Sequence, residues 1–143
     1  MKAKKMHPAK KYLLQIEKYD LMLENKRAER ERWEAIATST TAKLTERVQT
    51  SSTCDKITNA VMKILKIQEE IDAYIIELNN KRHEIINVIE QLDAKEYDLL
   101  HKVYVQHLTL KQYQYLKRIS YSSVTSIHGR ALNNVLKIRE RME

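Results

Sequence analysis

The longest regular pattern of apolar positions lies in the middle of the chain. From Ile57 to Leu92 apolar residues return every seven positions, and a second, partly polar set that includes Val61 is offset from them by four. A heptad repeat predicts a long helix that packs against another helix, so we expect a coiled-coil-like helix over residues 55–92. The residues predicted at its packing interface are Ile57, Ile64, Ile71, Ile75, Leu78 and Ile85.

A second periodic segment precedes the heptad. Apolar residues recur at three- and four-residue intervals after Pro8, a residue suited to the first turn of a helix, and predict a helix over about residues 9–37. Residues 38–54 are rich in Ser and Thr, which compete for backbone hydrogen bonds, and we interpret them as an interhelical linker. The two helices could fold back as an antiparallel hairpin, or the heptad could pair with a second subunit in a homodimer; periodicity allows both.

After residue 92 the pattern changes to short amphipathic segments. Asp93, Thr109 and either Ser120 or Ser122 precede these segments and can cap the helices that follow. Three short helices, the last one longest, are the order of a helix-turn-helix unit. We predict a helical hairpin over residues 1–92 and a helix-turn-helix unit over 93–143. The apolar positions expected to face inward in this unit include Tyr97, Leu100, Tyr104, Leu110, Tyr113, Leu116, Val124, Ile127, Ala131, Leu132 and Val135.

Composition favours an all-α fold. One Gly, one Pro and no Phe among 143 residues leave few residues for tight turns and sheets. The single cysteine, Cys54, has no partner for an internal disulfide, and no apolar run approaches the roughly 20 residues of a membrane span. We therefore expect a protein of a reducing compartment without membrane association.

Charge is distributed unevenly along the chain. The formal net charge is +7, and the segment from Leu99 to Arg139 contains seven Lys and Arg residues but no Asp or Glu. A basic segment without carboxylates on short helices is typical of phosphate contact, because each cation placed near the nucleic-acid backbone releases condensed counterions. A solvated basic helix face would give the same count, so charge alone does not identify the partner.

The sequence contains no recognisable catalytic or metal-binding constellation. The five histidines do not combine with Cys54 at metal-ligand spacings, and His101 and His107 do not share a helix face. The acidic cluster over residues 93–98 stands at a predicted helix start, where carboxylates ordinarily cap the helix and compensate its dipole. We expect no enzyme activity, no metal and no cofactor.

Particular residues in the C-terminal part resemble region 4 of the bacterial sigma factors, which reads the minus-35 promoter element. They are Leu92-Asp93, Glu96-Tyr97, Leu100, Tyr104, Thr109-Leu110, Ile119-Ser120, Val124, Ile127-His128 and Arg130-Ala131-Leu132. Upstream, residues 37–39, 48–56 and 88–92 resemble small proteins from phages and prophages of Gram-positive bacteria, akin to the RinA and ArpU regulators of late phage genes. This resemblance extends over about residues 12–138, and Arg118 stands where the family often has a turn glycine.

The resemblance implies a phage-encoded transcriptional regulator in the cytoplasm of a bacterial host, and we expect it to activate late genes. Its partners would be double-stranded promoter DNA and host RNA polymerase, with the last helix in the major groove. Hydroxyl side chains at the base-facing positions imply modest direct readout, because they lack the bidentate match of Arg to guanine. The residues implied to bind DNA are Lys111, Lys117, Arg118, Tyr121, Ser122, Ser123, Thr125, Ser126, Arg130 and Lys137.

The residues also allow a function of another class. The heptad between Ile57 and Leu92 could make the protein a coiled-coil adaptor or inhibitor that binds a host or phage protein without binding DNA. Duplex affinity distinguishes the two hypotheses.

Overall fold

The helical pattern of the sequence becomes an all-α structure, as predicted. The computed structural model describes residues 5–46 and 51–143, with side chains described at 5–40 and 54–143. Within these ranges no strand is present. The helices are α1 (Pro8–Leu13), α2 (Gln15–Glu46), α3 (Ser51–Ile89), α4 (Ala94–Leu100), α5 (Leu110–Lys117) and α6 (Tyr121–Met142), and a π-helical segment (His101–Val105) follows α4.

The first predicted helix is two helices in the structure. The His7 side chain caps α1 by accepting a hydrogen bond from the Ala9 amide at 3.1 Å, and Pro8 occupies the first turn. Leu14 separates α1 from α2, yet its amide still donates to the Lys10 carbonyl at 2.9 Å. The interruption therefore leaves the chain close to helical.

The predicted linker over residues 38–54 is too long. Helix α2 continues to Glu46 and α3 begins at Ser51, while residues 47–50 lie outside the described part. The hydroxyl of Thr38 donates to the Glu34 carbonyl at 2.9 Å, and that of Thr40 donates to the Ile36 carbonyl at 2.8 Å. These threonines satisfy their side chains on the preceding helical turn, so their polarity does not end the helix.

Contacts divide the chain into two compact units that differ from the predicted domains of 1–92 and 93–143. The first unit combines the residues up to Lys18 with Leu78–Glu143, and the second is Tyr19–Glu77. Both α2 and α3 contribute residues to each unit. The boundary between the compact units therefore falls within these two helices.

In the second unit, α2 and α3 contact each other in antiparallel order. The Lys26 ammonium lies 2.5 Å from the Glu70 carboxylate, the Arg30 guanidinium donates to the Gln68 amide oxygen, and the Tyr19 and Tyr74 rings lie 6.4 Å apart. Residues later in α2 thus meet residues earlier in α3.

In the first half of α3, the second core position of the predicted heptad is shifted by one residue, whereas Val88 and Ile89 are both buried near its end. Ala60 and Ile67 are buried, whereas Val61 is 44% exposed. Both positions lie near the same side of a helix, because spacings of three and four each return close to one turn, and only the packing selects between them.

The N-terminal helix and the C-terminal helix share the core of the first unit. The guanidinium of Arg139 lies 3.8 Å from the centre of the Tyr12 ring, and α1 packs on α6. The side chains that are fully or almost fully buried in this unit include Leu13, Ile16, Ile85, Val88, Ile89, Leu99, Leu100, Val124 and Val135.

This burial bears on the predicted packing interface. Ile71, Leu78 and Ile85 are buried within the chain itself, and Ile57, Ile64 and Ile75 are half-buried. The first three are therefore not accessible to a second subunit in this conformation. Along the described residues, no helix combines the length and apolarity needed to cross a membrane.

Candidate nucleic-acid interface

Three capping residues define the bounds of the C-terminal helices, as the sequence predicts. Asp93 Oδ1 accepts from the Glu96 amide at 2.9 Å, and Ser120 Oγ accepts from the Ser123 amide at 3.1 Å. Thr109 forms a reciprocal capping box with Gln112, at 3.1 Å and 2.8 Å. Each cap satisfies an amide in the first turn of its helix, so α4, α5 and α6 begin where local chemistry favours it.

A short turn connects α5 to α6. Only Arg118, Ile119 and Ser120 separate the two helices, and α5 and α6 pack against each other. Arg118 has φ 56° and ψ 43°, the left-handed conformation, and its amide donates to the Gln114 carbonyl. A residue with a side chain accepts this conformation at a cost of about 1 kcal/mol, so the sharp turn forms here at a position where glycine would be unstrained.

Helix α6 has a buried side and an open side. Val124, Ala131 and Val135 are fully buried, whereas the N-terminal turns expose a row of hydroxyl side chains on the opposite side. A Cβ atom added at Gly129 would meet nothing within 4 Å. This face is therefore free to approach a large, flat or grooved partner.

Every residue predicted to bind DNA has an exposed side chain, but the structure does not bring all of them together. Lys117, Ser122, Ser123, Ser126 and Arg130 line a common groove. Lys111 and Tyr121 lie elsewhere on α5 and α6, and Lys137 follows Ser126 by about 16 Å along the helix axis. Two of the hydroxyls already have local partners, since Thr125 donates to the Ser122 carbonyl at 3.0 Å and Ser123 Oγ lies 2.8 Å from Ser120 Oγ.

Asp98 pairs with two lysines, one in the segment after α4 and one at the end of α5. Its carboxylate lies 2.5 Å from Lys102 Nζ and 3.0 Å from Lys117 Nζ, and it accepts the Tyr113 hydroxyl at 2.8 Å. Partial burial alone would raise the pKa of Asp98, but hydrogen bonds from Lys102, Lys117 and Tyr113 outweigh it and hold the pKa at about 2. Burial and the adjacent carboxylate raise the pKa of Tyr113 well above its usual range.

The acidic residues of α4 and its N-cap therefore have three different roles. Asp93 caps the helix, as expected, but Asp98 fixes Lys117, a residue predicted to contact phosphate. The buried Glu96 accepts two hydrogen bonds from the Asn134 side chain, at 3.0 and 3.1 Å. Glu96 and Asp98 thus join α4 to α6 and α5 as well as lying near a helix start.

The inner side of α6 carries a tyrosine–histidine pair in which Tyr104 is buried and His128 is half-buried. The Tyr104 hydroxyl lies 2.7 Å from His128 Nε2, and the two rings are stacked with centroids 5.9 Å apart. Burial raises the pKa of Tyr104 to about 12, and burial together with Lys10 and His7 lowers the pKa of His128. Tyr104 and Tyr113 are both buried, as their helical spacing predicts, and His128 has a packing role.

Sequence reasoning missed parts of this surface. Leu116, expected to face inward, is 56% exposed, and the neighbouring Tyr115 is 81% exposed. Tyr113 fills the inward position on this short helix. Asp98 carried one usable signal, its spacing of four residues from Lys102, whereas its contact with Lys117 depends on how α4 and α5 pack.

Among the residues the structure describes, no group of three or more His, Cys, Asp or Glu could hold a metal ion. Comparisons of the chain with protein-family models, with curated proteins and with solved structures find no match.

Proposed function

We propose that this protein is a sequence-specific DNA-binding transcriptional regulator that places the N-terminal half of α6 in the major groove. In this proposal it acts in the cytoplasm of a bacterial host on a phage promoter, as an activator of late genes, and contacts host RNA polymerase. The phage context, the activator role and the polymerase contact follow from the sequence resemblance. The DNA contact has independent support in the geometry of α5 and α6.

The observation that carries the proposal is the open hydroxyl face of α6. Ser122, Thr125 and Ser126 lie on exposed turns directly after a three-residue turn, and the buried side of the same helix anchors it to the unit. A helix presented in this way, with short donors and acceptors near its N-terminus, is the geometry by which helix-turn-helix proteins reach base edges.

DNA binding also needs attraction to the phosphate backbone, and cations near the hydroxyl face of α6 can supply it. Arg118 lies at the turn, and Arg130 and Lys137 lie further along α6, all with exposed side chains. Lys117 is already paired with Asp98 at 3.0 Å, so it contributes less charge to a partner than the other three. Phosphate contacts would set orientation and affinity, and the hydroxyls would supply a modest sequence preference.

Selection of duplexes from a random library, followed by affinity measurements on the enriched duplex and a scrambled one, tests the proposal. We expect a preferred sequence and a steep loss of affinity with salt for the wild-type chain. Ser122→Ala and Ser126→Ala should each reduce the preference while leaving affinity for the scrambled duplex unchanged. Arg118→Gln should weaken both duplexes equally.

Ser39→Ala, which removes an exposed hydroxyl from α2, serves as the matched control and should change neither affinity. Equal affinity of the wild-type chain for all duplexes would contradict sequence reading. Undetectable duplex binding at moderate salt would contradict the proposed function altogether.

A second candidate function, a coiled-coil adaptor or inhibitor, is favoured by a different observation. Val61, Met62 and Leu65, which are neighbours on one stretch of α3, are 44–62% exposed. Large exposed apolar side chains of this kind mark protein-binding surfaces. A specific protein partner retained after nuclease treatment, together with absent duplex affinity, would favour this alternative.

A further inference from the structure

A groove runs beside the open face of α6. It has a volume of about 610 Å³ and lies between the start of α4, the end of α5 and the N-terminal half of α6. Ser122 and Ser126 belong both to the groove and to the open hydroxyl face, so the groove begins where the proposed base-reading surface ends. The groove is therefore placed to contact the part of a nucleic acid that lies next to the bases.

The lining of the groove combines three kinds of chemistry. Ile119 and Ile127 supply apolar surface, Ser122, Ser123 and Ser126 supply hydroxyls, and Lys95, Lys117 and Arg130 supply positive charge. Deoxyribose presents an apolar ring face, and the phosphodiester presents anionic oxygens that accept hydrogen bonds from cations, while the Ser122 and Ser126 hydroxyls stay with the base-reading face at the edge of the groove. The groove therefore matches a sugar–phosphate strand better than it matches a purely apolar or purely polar ligand.

The single carboxylate of the groove does not oppose an anion there. Asp98 is matched by Lys102 and Lys117 and by the Tyr113 hydroxyl. Lys95 and Arg130 form no ion pair with any residue in the described ranges, so their charge is available to a ligand.

Lys95 occupies a position that stability alone does not favour. It is the second residue of α4, after the cap Asp93, and a cation in the first turn of a helix opposes the helix dipole. Because the dipole term is unfavourable, replacing Lys95 should not unfold α4.

We propose that this groove binds the sugar–phosphate backbone that flanks the bases read by α6, and that Lys95 contacts a phosphate. The inference rests on the proposed DNA-binding function and adds a residue outside the acid-free segment that the sequence singled out. In this arrangement α4 contacts the backbone of one DNA strand while α6 enters the major groove of the duplex. The two contacts together set the orientation of the unit on the DNA.

The test measures the salt dependence of duplex affinity for Lys95→Gln and Lys95→Glu on the selected and scrambled duplexes. Loss of one phosphate contact reduces the steepness of log affinity against log salt by about 0.9. If the affinity at 1 M salt is unchanged, the affinity at 0.1 M salt is then roughly eightfold weaker than that of the wild-type chain. Both duplexes should weaken by the same factor, and Lys95→Glu should weaken them more than Lys95→Gln. Circular dichroism should show unchanged helicity in both variants.

Lys63→Gln, an exposed lysine of the second unit, is the matched control and should leave the slope unchanged. An unchanged slope in the Lys95 variants, with sequence preference intact in the wild-type chain, would overturn the backbone site alone. Loss of preference without loss of slope would place Lys95 on a base edge and also overturn it. Absence of wild-type duplex binding would overturn both this site and the proposed function.

Discussion

The carboxylate of Asp98 offers the sharpest test of how this unit is held together. Asp98→Asn keeps the shape of the side chain but removes the charge that Lys102 and Lys117 share. The pKa of Asp98 is about 2 against an ordinary value of 3.8, and each pKa unit corresponds to about 1.4 kcal/mol. The full difference is about 2 kcal/mol, and a side chain that is 29% exposed is partly screened, so we expect a loss of about 1–2 kcal/mol in unfolding free energy.

The pH dependence of this loss follows from its sign. Because the folded-state pKa is depressed, the charge of Asp98 stabilises the fold fully above about pH 3.8, and this stabilisation disappears as pH falls toward 2. The wild-type chain and the Asp98→Asn variant should therefore differ most near neutral pH and converge in acid.

Urea unfolding followed by circular dichroism between pH 7 and pH 2 measures both quantities. Asp55→Asn, at an exposed position on α3, is the control and should change the unfolding free energy by less than about 0.5 kcal/mol. Equal stability of wild type and Asp98→Asn at pH 7, or a difference that persists at pH 2, would refute the assigned role of Asp98.

Two further substitutions test local features of the same unit. Arg118→Gly should stabilise the fold by up to about 1 kcal/mol in thermal unfolding, because it relieves the left-handed conformation, whereas Arg118→Ala should bring no such gain; destabilisation by Arg118→Gly would contradict the turn. Tyr104→Phe should cost about 1 kcal/mol at pH 7, since it leaves His128 Nε2 without its 2.7 Å partner. Because burial lowers the pKa of His128, wild-type stability should also decline as pH falls below about 6.5, and a flat urea-unfolding profile from pH 7.5 to 5.5 would argue against that burial.

The predictions that depended on neighbouring residues were accurate. Asp93, Thr109 and Ser120 cap their helices as predicted, because a cap joins a side chain to an amide only three residues away. The all-α class followed from composition and periodicity in the same way. The Ser/Thr-rich linker was wrong in extent, because composition does not reveal whether a hydroxyl such as that of Thr38 bonds back to its own helix.

The packing of the helices selects which residues of α3 are buried. A heptad pattern allows either of two adjacent positions to face the core, and in the structure Ala60 and Ile67 are buried while Val61 is exposed. It also joins α1 to α6, so that residues at opposite ends of the chain share one core. Such a grouping has no local signal, because the contacts join distant parts of the sequence.

The features of the candidate interface also fall into two groups, those readable from the sequence and those set by helix packing. The helix caps and the row of hydroxyls at the start of α6 are readable from the sequence, since each depends on residues within a few turns of one another, and the basic segment is readable from a simple count of charges. Three other features come from the packing of the helices: Asp98 holds Lys117, Leu116 faces outward, and Lys95 lines the groove beside α6. These features depend on side-chain distances between helices, and those distances are set when the buried faces of the helices pack together.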